Sequence, residues 1–365
     1  MPRIDLAFLE RAGALAERGR YTVSPNPMVG AVVVRGGRVV GEGFHRRAGG
    51  PHAEVAALRA AGAKARGADL YLTLEPCVHR GRTPACAPVV VASGVRRVVV
   101  AAKDANPLVA GRGIAALRRA GLDVVLAPAR FRRAEEERNE KFRAAIVRRR
   151  PFVLAKWASS LDGRIASARG ESRWITGEPA RRRALALREE YDAVLVGAGT
   201  VGADDPRLTR RLGRAGGLPH RRIVLDGKLR VAESARVLRG RGAIVVTAAP
   251  ASHPKARRLK TRGVEVWSLP GRAPGRVDLG RLLDALGSAG VTSLMVEGGA
   301  ETLGAFLEAR LVDRIAVFLA PSLLGGRGAL GAVGGRGFAL ADAAVVRGLR
   351  LERLGGDVLA TGRLA

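Results

Sequence analysis

Over residues 5–18 the apolar positions Leu6, Leu9, Ala12, Gly13 and Ala16 recur at helical spacing and Asp5 offers a carboxylate cap, so the pattern predicts an amphipathic helix. Strand signals at 30–34 and 39–43 flank Arg35-Gly36-Gly37-Arg38, which reads as a hairpin turn. Further along, the pattern predicts a helix over 51–61, a buried strand over 69–74, a helix over 87–93, a strand over 95–101, a helix over 113–120 and a strand over 123–126. These elements make a strand-rich α/β layer that closes near residue 147.

Residues 131–150 are densely charged and end in Arg148-Arg149-Arg150-Pro151, which reads as one connecting helix followed by a boundary. Beyond it, strands are predicted at 152–155, 193–197, 222–226, 243–246, 264–267, 293–297 and 314–320, with helices between them at 179–191 and 300–309. The second part is therefore also α/β. The expected domains are 1–147 and 148–365, a division that suits a chain of 365 residues.

Composition narrows the picture. No stretch of about 18 apolar residues occurs, so no membrane partner is expected. The opening Met1-Pro2-Arg3-Ile4-Asp5 places an acid where a signal peptide would turn apolar, and a cytoplasmic location is expected. The formal charge of +30 invites a polyanion, yet it is spread evenly: 25 bases against 13 acids up to residue 147, and 38 against 20 after it. Of the 63 bases 56 are Arg, and aromatics make up only 4%. A dedicated nucleic-acid binder concentrates charge and interleaves aromatics for stacking. The excess is assigned to coding bias and to phosphorylated ligands, and no specific nucleic acid is expected.

The first chemical constellation is His52-Ala53-Glu54 at the start of a predicted helix, with Glu75-Pro76-Cys77 leaving a strand and Cys86 opening another helix. One imidazole and two thiolates leave the fourth tetrahedral position of zinc open, whereas structural sites fill all four. An open position points to catalysis. The positive ends of the helix dipoles favour thiolate over thiol. His-x-Glu followed by Pro-Cys and a further Cys is the signature of zinc-dependent nucleobase deaminases, in which the Glu shuttles protons and binds no metal. The bland alternative is a closed structural site completed by His45 or His79, or an ordinary buried cysteine pair. One departure stands out. The short deaminase pattern has two residues between its cysteines, and here eight intervene, Val78 to Ala85, carrying His79 and Arg82 over the site.

The second constellation begins with Gly197-Ala198-Gly199-Thr200-Val201-Gly202 after a strand. Taken alone it reads as a dinucleotide fingerprint. Asp204-Asp205-Pro206 follows at once, however, and a proline there interrupts the long helix such a site requires, so the Rossmann reading is rejected. Glu297-Gly298-Gly299-Ala300-Glu301-Thr302 is a better phosphate cradle, because a strand ends in two glycines and a helix begins. A purely structural turn remains the alternative. Lys156 and Asp204 are candidate electrostatic or proton-relay groups.

Over essentially its whole length the sequence resembles the bifunctional riboflavin-biosynthesis family that joins a diaminohydroxyphosphoribosylaminopyrimidine deaminase to a 5-amino-6-(5-phosphoribosylamino)uracil reductase. The resemblance rests on Ser24 to Gly30, His52-Ala53-Glu54, Glu75 to Cys86 with the eight-residue insertion, Asn106 to Gly113, Lys156 to Gly163, Glu171 to Thr176, and Thr200 through Asp204-Asp205-Pro206 to Arg211. It implies an N-terminal cytidine-deaminase-like α/β/α domain followed by a dihydrofolate-reductase-like α/β domain. It further implies Zn2+ on His52, Cys77 and Cys86, catalysis by Glu54, and pyrimidine contacts from Asn26, His45, His79 and Asn106, with Arg82 beside them. NADPH would lie along Ala158, Trp174, Thr200, Asp204 and the run Gly299, Ala300, Glu301, Thr302, Leu303, Gly304 and Ala305. Ser172, Arg188, Leu208, Arg211 and Glu297 would hold the substrate. The implied partner is a small phosphorylated pyrimidine, and a homo-oligomer, dimer or tetramer, is expected. Two other classes compete: a nucleic-acid-editing deaminase, disfavoured by the cysteine spacing and the glycine cradle, and a non-catalytic zinc-stapled binding module, disfavoured by Glu54 and the three-ligand count.

Overall fold

In a computed structural model that describes residues 5–81, 83–215 and 219–364, the chain divides into two compact units between Arg149 and Arg150. The first begins with α1 (Ala7–Glu17), whose Ala7 N–H donates to the Asp5 carboxylate at 3.0 Å. β1 (Gly30–Arg35) and β2 (Arg38–Phe44) then form an antiparallel hairpin. Gly36 and Gly37 turn it with φ of +59° and +73°, which glycine adopts without strain. α2 (Ala53–Ala61), β3 (Asp69–Leu74), α3 (Cys86–Ala92), β4 (Arg97–Ala102), α4 (Arg112–Arg119) and β5 (Asp123–Leu126) follow. The sheet order is β2-β1-β3-β4-β5, with β3, β4 and β5 parallel.

Alternation along the strands decides which side each residue serves. Ala31, Val33, Leu70, Leu72, Val98 and Val100 pack with Ala53, Ala57, Val90, Ile114 and Leu117 of the helices α2, α3 and α4. Val32, Val34, Tyr71, Val99 and Ala101 turn the other way, toward Leu9 and Ala12 of α1 and toward Phe131. The result is an α/β/α sandwich. Helix α2 lies close on the sheet because β2 presents glycine there: a Cβ on Gly43 would sit 2.4 Å from the Ala53 carbonyl oxygen.

The charged stretch after β5 is two helices where the sequence pattern predicts one: α5 (Ala129–Arg138) and α6 (Glu140–Arg148). The break falls at Asn139. Its amide is committed elsewhere, accepting from Met28 N at 2.7 Å and donating to Met28 O at 2.9 Å and to the Glu135 carboxylate. Burial pushes the Glu135 carboxyl up to about 7, against the pull of Arg138 and Asn139.

The second unit runs β6 (Phe152–Ser160), β7 (Arg164–Ala166), α7 (Glu178–Glu189), β8 (Ala193–Gly197), α8 (Ala198–Asp204), β9 (Arg221–Leu225), β10 (Ala243–Thr247), α9 (Pro254–Thr261), β11 (Glu265–Ser268), α10 (Leu279–Ser288), β12 (Ser293–Val296), α11 (Ala300–Glu308), β13 (Arg314–Ala320), β14 (Leu330–Gly331), β15 (Val346–Leu354) and β16 (Asp357–Leu364). A nine-stranded sheet has the order β11-β10-β9-β8-β12-β6-β13-β16-β15, parallel up to β13 and antiparallel thereafter, while β7 and β14 pair separately. Its central strands β8 and β12 are near-continuous apolar runs, as burial on both faces requires, and Leu195, Ile223, Ile244, Leu294, Leu282 and Phe306 share one core. α8 spans seven residues and stops at Asp205, φ +37°, just before Pro206. The glycine pattern at 197–202 therefore opens no long helix, as the proline argument required. No helix among the described residues is long and apolar enough to cross a membrane.

Candidate active sites

In the first unit the three proposed metal ligands come from three separate element ends. His52 is the N-cap of α2, Cys77 lies just past the end of β3, and Cys86 is the first residue of α3. The eight-residue loop is pinned at its neck, since Cys86 N and Ala87 N both donate to the Cys77 carbonyl at 3.1 Å. His52 Nδ1 stands 3.1 Å from Cys86 Sγ and 3.7 Å from Cys77 Sγ. Among the described residues this is the one cluster of three or more His, Cys, Asp or Glu whose ligand atoms all lie within 4.8 Å of one another. Both cysteines are free thiols, and a hydrogen bond from Cys86 pulls Cys77 down to about 4 while Cys86 itself is pushed up. Two sulfurs and one imidazole nitrogen converging in this way fit zinc. His52 Nε2 faces Thr83 Oγ1 at 3.2 Å, an outer partner that fixes the ring. His45 cannot complete a closed site, because its Nε2 accepts from Asn26 Nδ2 at 3.0 Å and its Nδ1 donates to the Pro51 carbonyl at 3.0 Å.

Glu54, the second residue of α2, is 4% exposed, and burial pushes its carboxyl up. It faces a cavity of about 250 Å³ lined also by His52, Cys77, Asn26, His45, His79 and Asn106. His79 Nδ1 is buried there with no partner among the described residues. Asn106 closes a local turn, its side-chain oxygen accepting from Leu108 N at 3.0 Å, which leaves its amide N–H2 to face the cavity's contents. Arg82 lies outside the described residues. Sequence reasoning missed four contributors: Thr83, Asp104, Phe142 and the role of Glu75. Glu75 accepts backbone N–H groups of Asp104, Gly111 and Ile114 at 2.8, 2.6 and 3.3 Å and so shapes the segment carrying Asn106. Its placement directly after a strand was the available signal. Phe142 arrives from α6, and nothing in its local sequence marks it.

The second unit holds a cleft of about 1220 Å³ where β8, β9 and β12 end and the middle of β6 passes. Gly298 and Gly299 turn out of β12 with φ of +91° and +78°, and α11 begins at Ala300. Such a conformation admits glycine with little strain, and the fit is close as well: a Cβ on Gly299 would stand 2.9 Å from Thr200 Oγ1. Ala158, Trp174, Thr200, Asp204, Gly299, Ala300, Glu301, Thr302, Leu303 and Ala305 all line the cleft. Gly304 does not. It faces the Gly334 turn instead, where a Cβ would lie 2.2 Å from the Gly334 carbonyl oxygen, so its smallness serves packing.

Ser172, Arg188, Leu208, Arg211 and Glu297 line the same cleft. Arg188 Nε and Nη2 donate to the two carboxylate oxygens of Glu297 at 2.7 and 2.8 Å. Burial pushes the Glu297 carboxyl up, but the Arg188 guanidinium and the Lys156 ammonium outweigh it and hold the group at about 2. Lys156 in turn is pushed down by burial, and its Nζ stands 5.5 Å from the centre of the Phe318 ring. Ser172 Oγ donates to Asp204 Oδ1 at 3.2 Å, and Arg173 Nη2 donates to the Asp204 carbonyl at 2.6 Å. The 205–215 segment is shaped by Glu189, whose carboxylate accepts backbone N–H from Arg211, Leu212, Arg214 and Ala215 at 2.9 to 3.2 Å. Arg211 is thereby placed with its guanidinium exposed, while Trp174 is 72% exposed under the Arg181 guanidinium, 4.8 Å from its ring centre.

Residues 2–102 match the family described as the cytidine and deoxycytidylate deaminase zinc-binding region, and residues 151–360 match the RibD C-terminal domain. The riboflavin biosynthesis protein RibD of Aquifex aeolicus is 43% identical, covering 98% of this chain and 97% of its own. That of Escherichia coli K12 is 42% identical over 88% and 89% of the two chains. Among solved structures, Acinetobacter baumannii RibD superposes with a TM-score of 0.86 at 36% identity, and a Thermotoga maritima diaminohydroxyphosphoribosylaminopyrimidine deaminase/5-amino-6-(5-phosphoribosylamino)uracil reductase with 0.83 at 34%. Each covers 98% of both chains.

Proposed function

Because this chain belongs to the RibD family of bifunctional riboflavin-biosynthesis enzymes, a deaminase joined to a reductase, we propose a specific assignment of its side chains to the two reactions. It deaminates 2,5-diamino-6-(5-phosphoribosylamino)pyrimidin-4(3H)-one by hydrolysis and then reduces the ribosyl group to ribityl with NADPH. The observation that carries the assignment is the convergence of His52, Cys77 and Cys86 on one point beside the buried carboxyl of Glu54.

His52, Cys77 and Cys86 would hold zinc, whose chemistry there would be that of a Lewis acid toward water near neutral pH. Glu54 accepts the proton of the attacking water and returns it to the departing amine, so that water enters as C=O and nitrogen leaves as ammonia. Burial raises its pKa toward the range in which one group can do both. Thr83 holds the His52 ring by its outer nitrogen, leaving Nδ1 toward the sulfurs. Asn26, His79 and Asn106 would supply donors and acceptors for a pyrimidine edge, with His45 lining the pocket and orienting Asn26 through its Nε2, and Arg82 extends the set on the same loop as His79.

In the second unit NADPH supplies the hydride. The backbone N–H groups at the start of α11 would hold its pyrophosphate, and Thr200, Asp204, Ala158 and Trp174, which line the same cleft, would hold the rest of it. Gly304 supports this only indirectly, by letting α11 sit against the Gly334 turn. Glu297 occupies the guanidinium fork of Arg188, so Arg211 and Ser172 carry more of the substrate's phosphate and hydroxyls. Lys156, pushed down by burial and held electrostatically by Glu297, would be the proton-holding group for the reduction.

A homo-oligomer is part of the reading, supported by β15, which ends the sheet with Leu349 and Leu351 exposed. A cytoplasmic setting is supported by the two free thiols at the metal site, which suit a reducing compartment. The decisive experiment supplies the diaminopyrimidinone phosphate with and without NADPH. Ammonia release should need no NADPH, and NADPH oxidation should follow it. Absence of ammonia from zinc-loaded protein would overturn the assignment.

A further inference from the structure

Two walls of the cavity in the first unit come from segments far apart in the chain. Asn26 stands on the stretch that leads into β1, and Phe142 stands on α6. The first stretch has few means of holding its shape. Pro25 and Pro27 carry no backbone N–H, and Asn26 N is used within the turn, donating to the Val23 carbonyl at 2.8 Å. Pairing with β2 and its end begins only at Val29, whose carbonyl accepts from His45 N at 2.9 Å, and continues from Gly30. Between Asn26 and that point the free peptide groups are those of Met28. Asn139 takes both, its Oδ1 accepting from Met28 N at 2.7 Å and its Nδ2 donating to Met28 O at 2.9 Å. These are the two bonds that a residue of a neighbouring antiparallel strand makes.

An amide can serve Met28 in this way in only one orientation, and its surroundings select that one. Nδ2 also donates to Glu135 Oε1, and a carboxylate can only accept, so Oδ1 is left to face Met28 N. The other Glu135 oxygen accepts from Arg138, whose Nε donates to Glu17 of α1 at 3.1 Å. Asn139 is 5% exposed and Glu135 2%, so the bonds are sheltered from water. The Asn139 backbone meanwhile serves both helices: its N donates to Glu135 O at 3.0 Å and its O accepts from Arg143 N at 2.9 Å. Phe142 follows within one turn. A single side chain thus ties the segment carrying Asn26 to the helix carrying Phe142, while neither Asn139 nor Glu135 lines the cavity itself.

We propose that Asn139 is a positioning residue for substrate binding in deamination, acting through Met28 on Asn26 and, at the start of α6, on Phe142. The proposal rests on the pyrimidine contact given to Asn26 above. Glu54 and the three metal donors belong to α2, the end of β3 and the start of α3, to which the Asn139 side chain makes no hydrogen bond. Loss of the tie should therefore be read in KM and not in kcat.

The test is ammonia release from the diaminopyrimidinone phosphate at pH 8, with zinc content measured on the same preparations. Asn139→Asp keeps the shape and the acceptor for Met28 N, but loses both donations and sets a second carboxylate against Glu135. Its KM should rise about tenfold or more, the scale of a buried polar group left unpaired. Its kcat should stay within about threefold, with one zinc retained. Adding Glu135→Gln restores a donor between the two side chains, so the double variant should recover part of the lost KM. An unchanged KM in Asn139→Asp would overturn the proposal. So would joint loss of kcat, KM and zinc that Glu135→Gln does not relieve, since that is the mark of a residue holding up the fold alone. Asn26→Ala separates this proposal from the reading beneath it. It should raise KM by itself, and Asn139→Asp should add less in that background than in the parent. If Asn26→Ala leaves KM unchanged, the pyrimidine contact fails and the proposal with it; if Asn26→Ala raises KM and Asn139→Asp does not, only the role of Asn139 fails.

Discussion

Arg188 holds both oxygens of Glu297, 109 residues away in the sequence, at 2.7 and 2.8 Å. The pair is buried, with Lys156 as a second cation, so its charge state is linked to the folding of the second unit. Glu297 titrates at about 2 when folded, against an ordinary value of 4.5. Its contribution is therefore complete above about 4.5 and lost as pH falls toward 2, roughly 3 kcal/mol in all. Glu297→Gln should be less stable than the parent at pH 6, with more than half of the difference gone near pH 3. Trp157, Trp174 and Trp267 are the only tryptophans and all lie in this unit, so urea unfolding followed by tryptophan fluorescence reads it alone. A difference that stays constant from pH 6 to 3 would contradict the linkage.

Glu54→Gln keeps size and hydrogen bonding but removes the proton acceptor. Ammonia release should drop by about 10²-fold or more. Given the already deaminated phosphoribosylaminouracil, the same variant should oxidise NADPH at the parent rate, because hydride transfer in the other unit has no use for this carboxyl. Unchanged ammonia release would rule out the role given to Glu54.

One zinc per chain is expected, since the chain has only Cys77 and Cys86 and both lie with His52 in one cluster. Metal analysis of Cys86→Ser should find most of the zinc gone. In the parent protein, retention through dialysis should weaken as pH falls, because protons compete for all three donors. Full zinc content in Cys86→Ser would place the metal elsewhere.

Gly299 combines a positive φ of 78° with close approach to Thr200. Even alanine should therefore strain the turn, by about 1–2 kcal/mol. Gly299→Asp adds a carboxylate where a pyrophosphate is proposed, and should weaken NADPH binding more than Gly299→Ala does. Ammonia release should continue in both. Calorimetric titration with NADPH gives the ranking, and equal binding by all three proteins would remove the cofactor from this turn.

The charge of +30 should give only weak adhesion to nucleic acid. Counterion release makes such adhesion fall steeply with salt. Filter binding with RNA should show little retention at about 200 mM salt, and a sequence-selective complex surviving there would revive the editing reading.

Much of this arrangement was legible where chemistry and chain position coincide. His52, Glu54, Cys77 and Cys86 sit at element ends that their own neighbours mark, and Gly298-Gly299 announces a turn after an apolar run. Phe142 and Asp104 were not legible, because they reach the cavity only through the packing of α6 and the segment after β4. The hairpin of β15 and β16 also escaped the pattern. Gly348, at φ +61°, accompanies a register shift that spoils strict alternation, and β15 is exposed along most of its length. The charged connector looked uniform, since the tie that breaks it depends on Met28, 111 residues away.

That tie also determines how the chain can be divided. A fragment ending at residue 102, where similarity to the deaminase zinc-binding region stops, would retain Glu54 and all three metal donors. It would nevertheless lack Asn106, the wall that Phe142 provides, and the Asn139 clamp on Met28, two residues beyond Asn26. A severed deaminase that keeps its pocket has to extend to Arg149, so the shortest excisable piece is nearly half as long again as the segment that carries its chemistry.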